Sequence, residues 1–202
     1  GSAKAGLYWA KHLALWLALP AVALALLATC APVATLNALS PRDGHALTEG
    51  VAYGASPRHR LDIYRPGGGA PAAGWPVGGF FYGGSWNRGE RADYRCGVLA
   101  LAARGVLTLV ADYRLYPEVR YPDFLSDSAQ ALAWGLRHAA SLGGNPRRIF
   151  VMGHSAGAYN AAMLALDERW LRGTGHAPAE LAGWIGLAGP YDFLPMSNPD
   201  TR

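Results

Sequence analysis

At 202 residues, 51% hydrophobic and only 16% charged, the chain suits one globular domain with a sizeable core and is excluded from the disordered class. Its net charge of +4 is a weak signal, because the only two lysines, Lys4 and Lys11, precede an apolar run and no basic tract remains to neutralise phosphates. Nucleic acid is therefore not expected as a partner. The six histidines are scattered and no His or Cys spacing resembles a ligand set, so no metal is expected, and no motif read below calls for an organic cofactor.

In chain order, residues 1–30 hold a positive flank at Lys11 followed by apolar residues from Leu13 to Thr29, the layout of an export signal or membrane anchor. Pro20 in its middle argues against a buried helix. Leu27, Ala28, Thr29 and Cys30 also resemble a lipoprotein processing box, so the expected location is exported or cell-envelope, with possible membrane attachment. Residues 31–48 read as a polar connector and residues 49–202 as the folded domain.

The domain opens with two short runs, "EGVAYG" and "HRLDIYRP", that predict a strand pair, and "RPGGGAPAAGWP" is a loop by composition. "VGGFFYGG" predicts a strand ending in glycines, although Gly78 and Gly79 weaken it. Glu90 to Arg104 has helical periodicity, and "GVLTLVAD" is a continuous apolar run of the kind buried on both faces of a parallel sheet. After a loop at Pro117 and Pro122, Phe124 to Ser141 reads as a helix. "RRIFVM" is the next strand, "SAGAYNAAMLALDERW" the next helix and "LAGWIGLAG" a further strand. This alternation predicts an α/β fold, a mostly parallel sheet with helices on both faces.

One pentapeptide carries chemistry: Gly153-His154-Ser155-Ala156-Gly157, between an apolar strand and a helix of small residues. A serine hydroxyl is a poor nucleophile, so a fold that uses one must expose its oxygen and set backbone N–H groups near the developing oxyanion. A sharp strand-to-helix turn does both, with Gly153 and Gly157 leaving room for close backbone approach. A second stretch, "FFYGGSW", closes an earlier strand with a loop that could offer the N–H groups of Gly83 and Gly84 to the same oxyanion.

Together with "ADYRLYPEVRYPDFLSD", "GGNPRRIFVMGHSAGAYNAAMLAL" and "GWIGLAGPYDF", these stretches resemble the alpha/beta hydrolase superfamily, in its carboxylesterase branch near hormone-sensitive-lipase-like and feruloyl-esterase-like enzymes. The resemblance runs from about Glu49 to Phe193. It implies that Ser155 is the acyl-accepting nucleophile, that the N–H groups of Gly83, Gly84 and Ala156 form the oxyanion hole, and that the substrate is a small-molecule ester. Tyr82 stands where the branch usually has a histidine, which puts loop geometry and acyl preference in question. Tyr82, Trp86 and His154 are the candidate substrate-binding residues; for Trp86 packing competes with a place at the pocket mouth, and His154 more readily shapes the site. Asp112, Arg114 and Asp127 are expected in structural ion pairs or caps.

The partners of the serine are harder to find. The fold orders its triad Ser, Asp or Glu, then His, yet only 47 residues follow Ser155 and the one histidine among them, His176, precedes the last predicted strand. The expectation is that the carboxy-terminal strands, the triad acid and the triad His are absent from these 202 residues. Two rivals to an esterase stay open: an amide hydrolase of the arylformamidase kind, and a non-catalytic hydrolase-like binding protein.

Overall fold

The computed structural model describes residues 45–192. The apolar run Leu13–Thr29, Cys30 and the stretch "PMSNPDTR" lie outside the described residues. Among the described residues no helix is long and apolar enough to cross a membrane.

Six strands, β1 (His45–Ala52), β2 (Arg60–Pro66), β3 (Trp75–Phe81), β4 (Leu107–Ala111), β5 (Gly144–His154) and β6 (Gly183–Leu187), form one sheet in the order β1-β2-β4-β3-β5-β6. The sheet is mixed. β1 and β2 pair antiparallel, as the opening strand pair predicts, and β2 pairs antiparallel with β4. The β4-β3-β5-β6 run is parallel throughout, as the βα alternation predicts.

Period-two alternation sorts the strand side chains onto two faces. Leu61, Ile63, Val77, Phe81, Leu107, Leu109, Ala111, Ile149 and Val151 enter one core, and Tyr64, Phe80, Val110 and Met152 enter the other. Helix α1 (Arg95–Ala102) covers the second face through Val98, Leu99 and Ala102. Helices α2 (Asp123–His138) and α3 (Ala156–Leu166) cover the first, α2 through Phe124, Leu125, Ala129 and Leu132. Each fully buried leucine there contributes about 2 kcal/mol. The charges of α2 follow its dipole, with Asp123 in the first turn and Arg137 and His138 in the last.

The glycines that weaken β3 in the sequence have a packing reason. A Cβ at Gly78 would lie 2.2 Å from the Met152 methyl, so glycine lets the methionine of β5 lie across β3. One predicted helix is two: α3 stops at Leu166, and Asp167 leaves helical geometry to accept the Arg169 N–H and cap α4 (Glu168–Arg172). The residues from Arg91 to Tyr94 form a 3-10 turn that leads into α1.

Candidate active site

Parallel pairing of β3 with β5, in register at Phe81 and Gly153, brings their carboxyl ends side by side. The segments leaving those ends are the Tyr82–Gly89 loop and the Ser155 turn. Ligands in open α/β sheets bind at this edge.

Ser155 has φ 51 and ψ −120, and α3 begins at the next residue. A non-glycine residue held there costs about 1–3 kcal/mol and persists only where its surroundings fix it. The surroundings are on both sides: the Ser155 N–H donates to Leu187 O of β6 at 2.8 Å, and its C=O accepts from the Ala158 and Tyr159 N–H groups at 2.9 and 3.2 Å. The hydroxyl itself has no hydrogen-bond partner among the described residues. Two glycines make the turn possible, since a Cβ at Gly153 would lie 2.1 Å from Gly157 O, and one at Gly157 would lie 2.1 Å from Phe81 O.

The loop lies directly against the turn. A Cβ at Gly83 would come within 2.9 Å of the Ser155 Cβ and 3.0 Å of His154 O, so only glycine fits. Its N–H, however, donates to Tyr94 Oη at 3.1 Å. That corrects its place among the expected oxyanion donors, because an amide already bonded to a phenol is not free for an oxyanion. The N–H groups of Gly84, Ser85 and Ala156 donate to no protein acceptor among the described residues. Ser85 is not legible as a site residue in the sequence; with φ 51 it takes, like Trp86 at φ 57, the left-handed conformation usual for glycine.

The three candidate substrate-binding residues sit differently from one another. Tyr82 is fully buried, stacked on Tyr113 with ring centroids 4.7 Å apart, and its hydroxyl accepts from Arg58 Nη2 at 2.6 Å. Burial, with the charge of Asp112, pushes its phenol well above the ordinary value, so it stays protonated. Its side chain is a strut under the loop and not part of a pocket mouth. Trp86, 6% exposed, packs between Phe124 and Tyr159, and its indole N–H donates to Asn160 Oδ1 at 2.9 Å; Asn160 in turn donates to Ser128. Packing is what the structure shows for it. His154 is half-buried, its Nδ1 2.7 Å from Tyr94 Oη.

Arg58 was not legible as a site residue, yet it clamps both ends of the loop. Its Nη2 donates to Tyr82 Oη and to Gly89 O (2.9 Å), and its Nε donates to Tyr113 O at 2.9 Å. Tyr113 completes the scaffold by donating to Tyr82 O at 2.8 Å. Hydrogen bonds from a charged donor are worth about 1.5–3 kcal/mol each when well made. Arg58→Ala is expected to lower stability by about 2 kcal/mol in urea denaturation and to speed amide exchange across Trp86–Gly89. Arg58→Lys should recover little of this, because a single ammonium cannot reproduce the guanidinium fork.

The acidic residues expected to be structural are so. Arg114 grips the fully buried Asp127 through Nε and Nη2 at 2.8 and 2.7 Å, and His59 Nε2 lies 3.1 Å from the same carboxylate. Asp112 and Asp62 share Arg91, which anchors the 3-10 turn that carries Tyr94. His176 is turned to Glu180, 3.1 Å away across its own loop.

A family model described as BD-FAE matches residues 61–201. Over 149 residues the chain is 36% identical to a probable isoprenylcysteine alpha-carbonyl methylesterase of Oryza sativa subsp. japonica, covering 71% of this chain and 35% of that protein. It is 33% identical over 155 residues to the esterase LipC of Mycobacterium tuberculosis, covering 74% of this chain and 38% of that one. Among solved structures, a bacterial heroin esterase superposes with TM-score 0.64 at 29% identity, covering 77% of this chain and 48% of that one. The carboxylesterase EstE1, cloned from a metagenomic library, superposes with TM-score 0.63 at 26% identity, covering 77% and 50%. The chain thus spans roughly a third of the length of these curated relatives and about half that of the solved esterases. It belongs to the BD-FAE family, within the carboxylesterases of the alpha/beta hydrolase superfamily.

Proposed function

We propose that the protein hydrolyses small carboxylic esters through an acyl-enzyme on Ser155. The carrying observation is the strained serine at the β5–α3 junction, with the backbone of the Tyr82–Gly89 loop packed against it. In this reading the Ser155 hydroxyl attacks the ester carbonyl, and the N–H groups of Ala156, Gly84 and Ser85 stabilise the oxyanion. The alcohol leaves, and water then releases the acid. The N-terminus of α3 adds partial positive charge on the same side. Ester hydrolysis by the relatives supports the reaction class.

The general base and the acid that orients it are supplied, in this proposal, from outside the described residues. Supporting it, four of the five described histidines are engaged elsewhere, His154 with Tyr94, His176 with Glu180, His59 near Asp127 and His138 with Trp134 O, and the fifth, His45, starts β1 at the opposite edge of the sheet from β5 and β6. Export or anchoring through Leu13–Thr29 remains part of the proposal on the strength of the sequence layout alone.

A fluorophosphonate probe tests both halves. The longest natural polypeptide containing these residues should be labelled at Ser155 strongly, and the 202-residue chain poorly, because the donors alone leave a residual rate of about 10³–10⁴ over water in a serine hydrolase stripped of its triad. Strong labelling of the 202-residue chain would mean that a base lies within it, and no labelling of either would overturn the reading. Hydrolysis of p-nitrophenyl acetate in preference to N-formylkynurenine is expected; the reverse would favour an arylformamidase.

A further inference from the structure

Between the loop and the turn stands one hydroxyl that the reaction itself does not use. Tyr94 Oη receives the Gly83 N–H at 3.1 Å and lies 2.7 Å from His154 Nδ1. Gly83 belongs to the segment after β3, His154 is the residue before the nucleophile, and Tyr94 comes from a third segment, the 3-10 turn. That turn is itself fixed, since Arg91 bonds Asp62 at 2.7 Å and also pairs with Asp112, the residue following β4. A phenol has one proton and can accept at its oxygen. Burial raises the Tyr94 pKa, so the proton is retained, and with the Gly83 N–H already pointing at the oxygen, the acceptor in reach of that proton is His154 Nδ1.

We infer that Tyr94 is a positioning residue, which sets the loop against the nucleophile by accepting from Gly83 and donating to His154 Nδ1, so that the proton of the His154 ring sits on Nε2. The functional consequence rests on the esterase reading. Taking the Gly83 amide out of competition leaves the next two amides of the loop, Gly84 and Ser85, as those presented to the oxyanion. A shift of about 1 Å in such donors can cost on the order of a hundredfold in rate.

The test is a kinetic cycle with a spectroscopic arm, in the longest natural polypeptide. Tyr94→Phe, which keeps the ring and its packing against Phe80, is expected to lower kcat roughly tenfold to a hundredfold with KM changed less than about threefold. His154→Leu should do much the same, and the double variant should be within about twofold of the worse single, because both remove one link. Independent, multiplying losses would overturn the inference, as would a Tyr94→Phe kcat within twofold of wild type. In ¹⁵N spectra, wild-type His154 should carry its proton on Nε2, and the Gly83 amide should shift and exchange faster in Tyr94→Phe. A proton found on Nδ1, or an unmoved Gly83 amide, would also overturn it. Should wild type hydrolyse no ester, the esterase reading fails by itself, and the spectra still decide the link.

Discussion

Ser155→Ala is expected to abolish ester hydrolysis, lowering kcat on the order of 10⁶-fold, since removing the nucleophile removes the covalent route and not merely a contact. The same variant should fold. Alanine meets the same backbone strain at φ 51 that serine meets, and the lost hydroxyl has no hydrogen-bond partner among the described residues, so the stability change should stay within about 0.5 kcal/mol. Activity in one assay and urea denaturation in another therefore separate sharply. Activity retained at more than about a thousandth of wild type would mean that the acyl group is carried elsewhere.

Gly157→Ala is expected to have the opposite signature, damaging fold and activity together. Within a helix the exchange would gain up to about 1 kcal/mol of propensity. Here that gain is outweighed, because the new Cβ would lie 2.1 Å from Phe81 O, 2.5 Å from Phe81 C and 2.5 Å from Tyr82 O. All three are main-chain atoms at the end of β3, so relief requires α3 and β3 to part by about 1 Å. Overpacking of this kind costs about 3 kcal/mol. The displaced segment also carries the Tyr82–Gly89 loop, so the surviving folded protein should have a depressed kcat. Gly153→Ala should behave alike, its Cβ meeting Gly157 O at 2.1 Å. A Gly157→Ala protein with wild-type midpoint and rate would contradict the close approach of loop and turn.

Much of this was written along the chain. The continuous apolar run "GVLTLVAD" marks β4, the alternation of "HRLDIYRP" marks β2, and the small residues after Ser155 mark a helix that can sit close on the sheet. These are local signals, set by side-chain periodicity and backbone sterics within a few residues. The Ser155 turn is local too, because strand, strained serine, glycines and helix are consecutive. The break at Asp167 escaped notice for the complementary reason: leucine and alanine favour helix on one side, glutamate and arginine on the other, and only the capping bond to Arg169 reveals the stop.

By itself, the sequence determined that a serine would be lifted at a strand end beside a glycine-rich loop. Only the tertiary structure decided which amides of that loop are free. Gly83 and Gly84 are alike as letters, but the first is taken by a phenol eleven residues away and both loop ends are gripped by an arginine 24 and 31 residues distant. Hydrogen bonds between distant segments leave no periodic trace in a chain, since they depend on where the sheet order β2-β4-β3-β5 places each end and not on what its neighbours are.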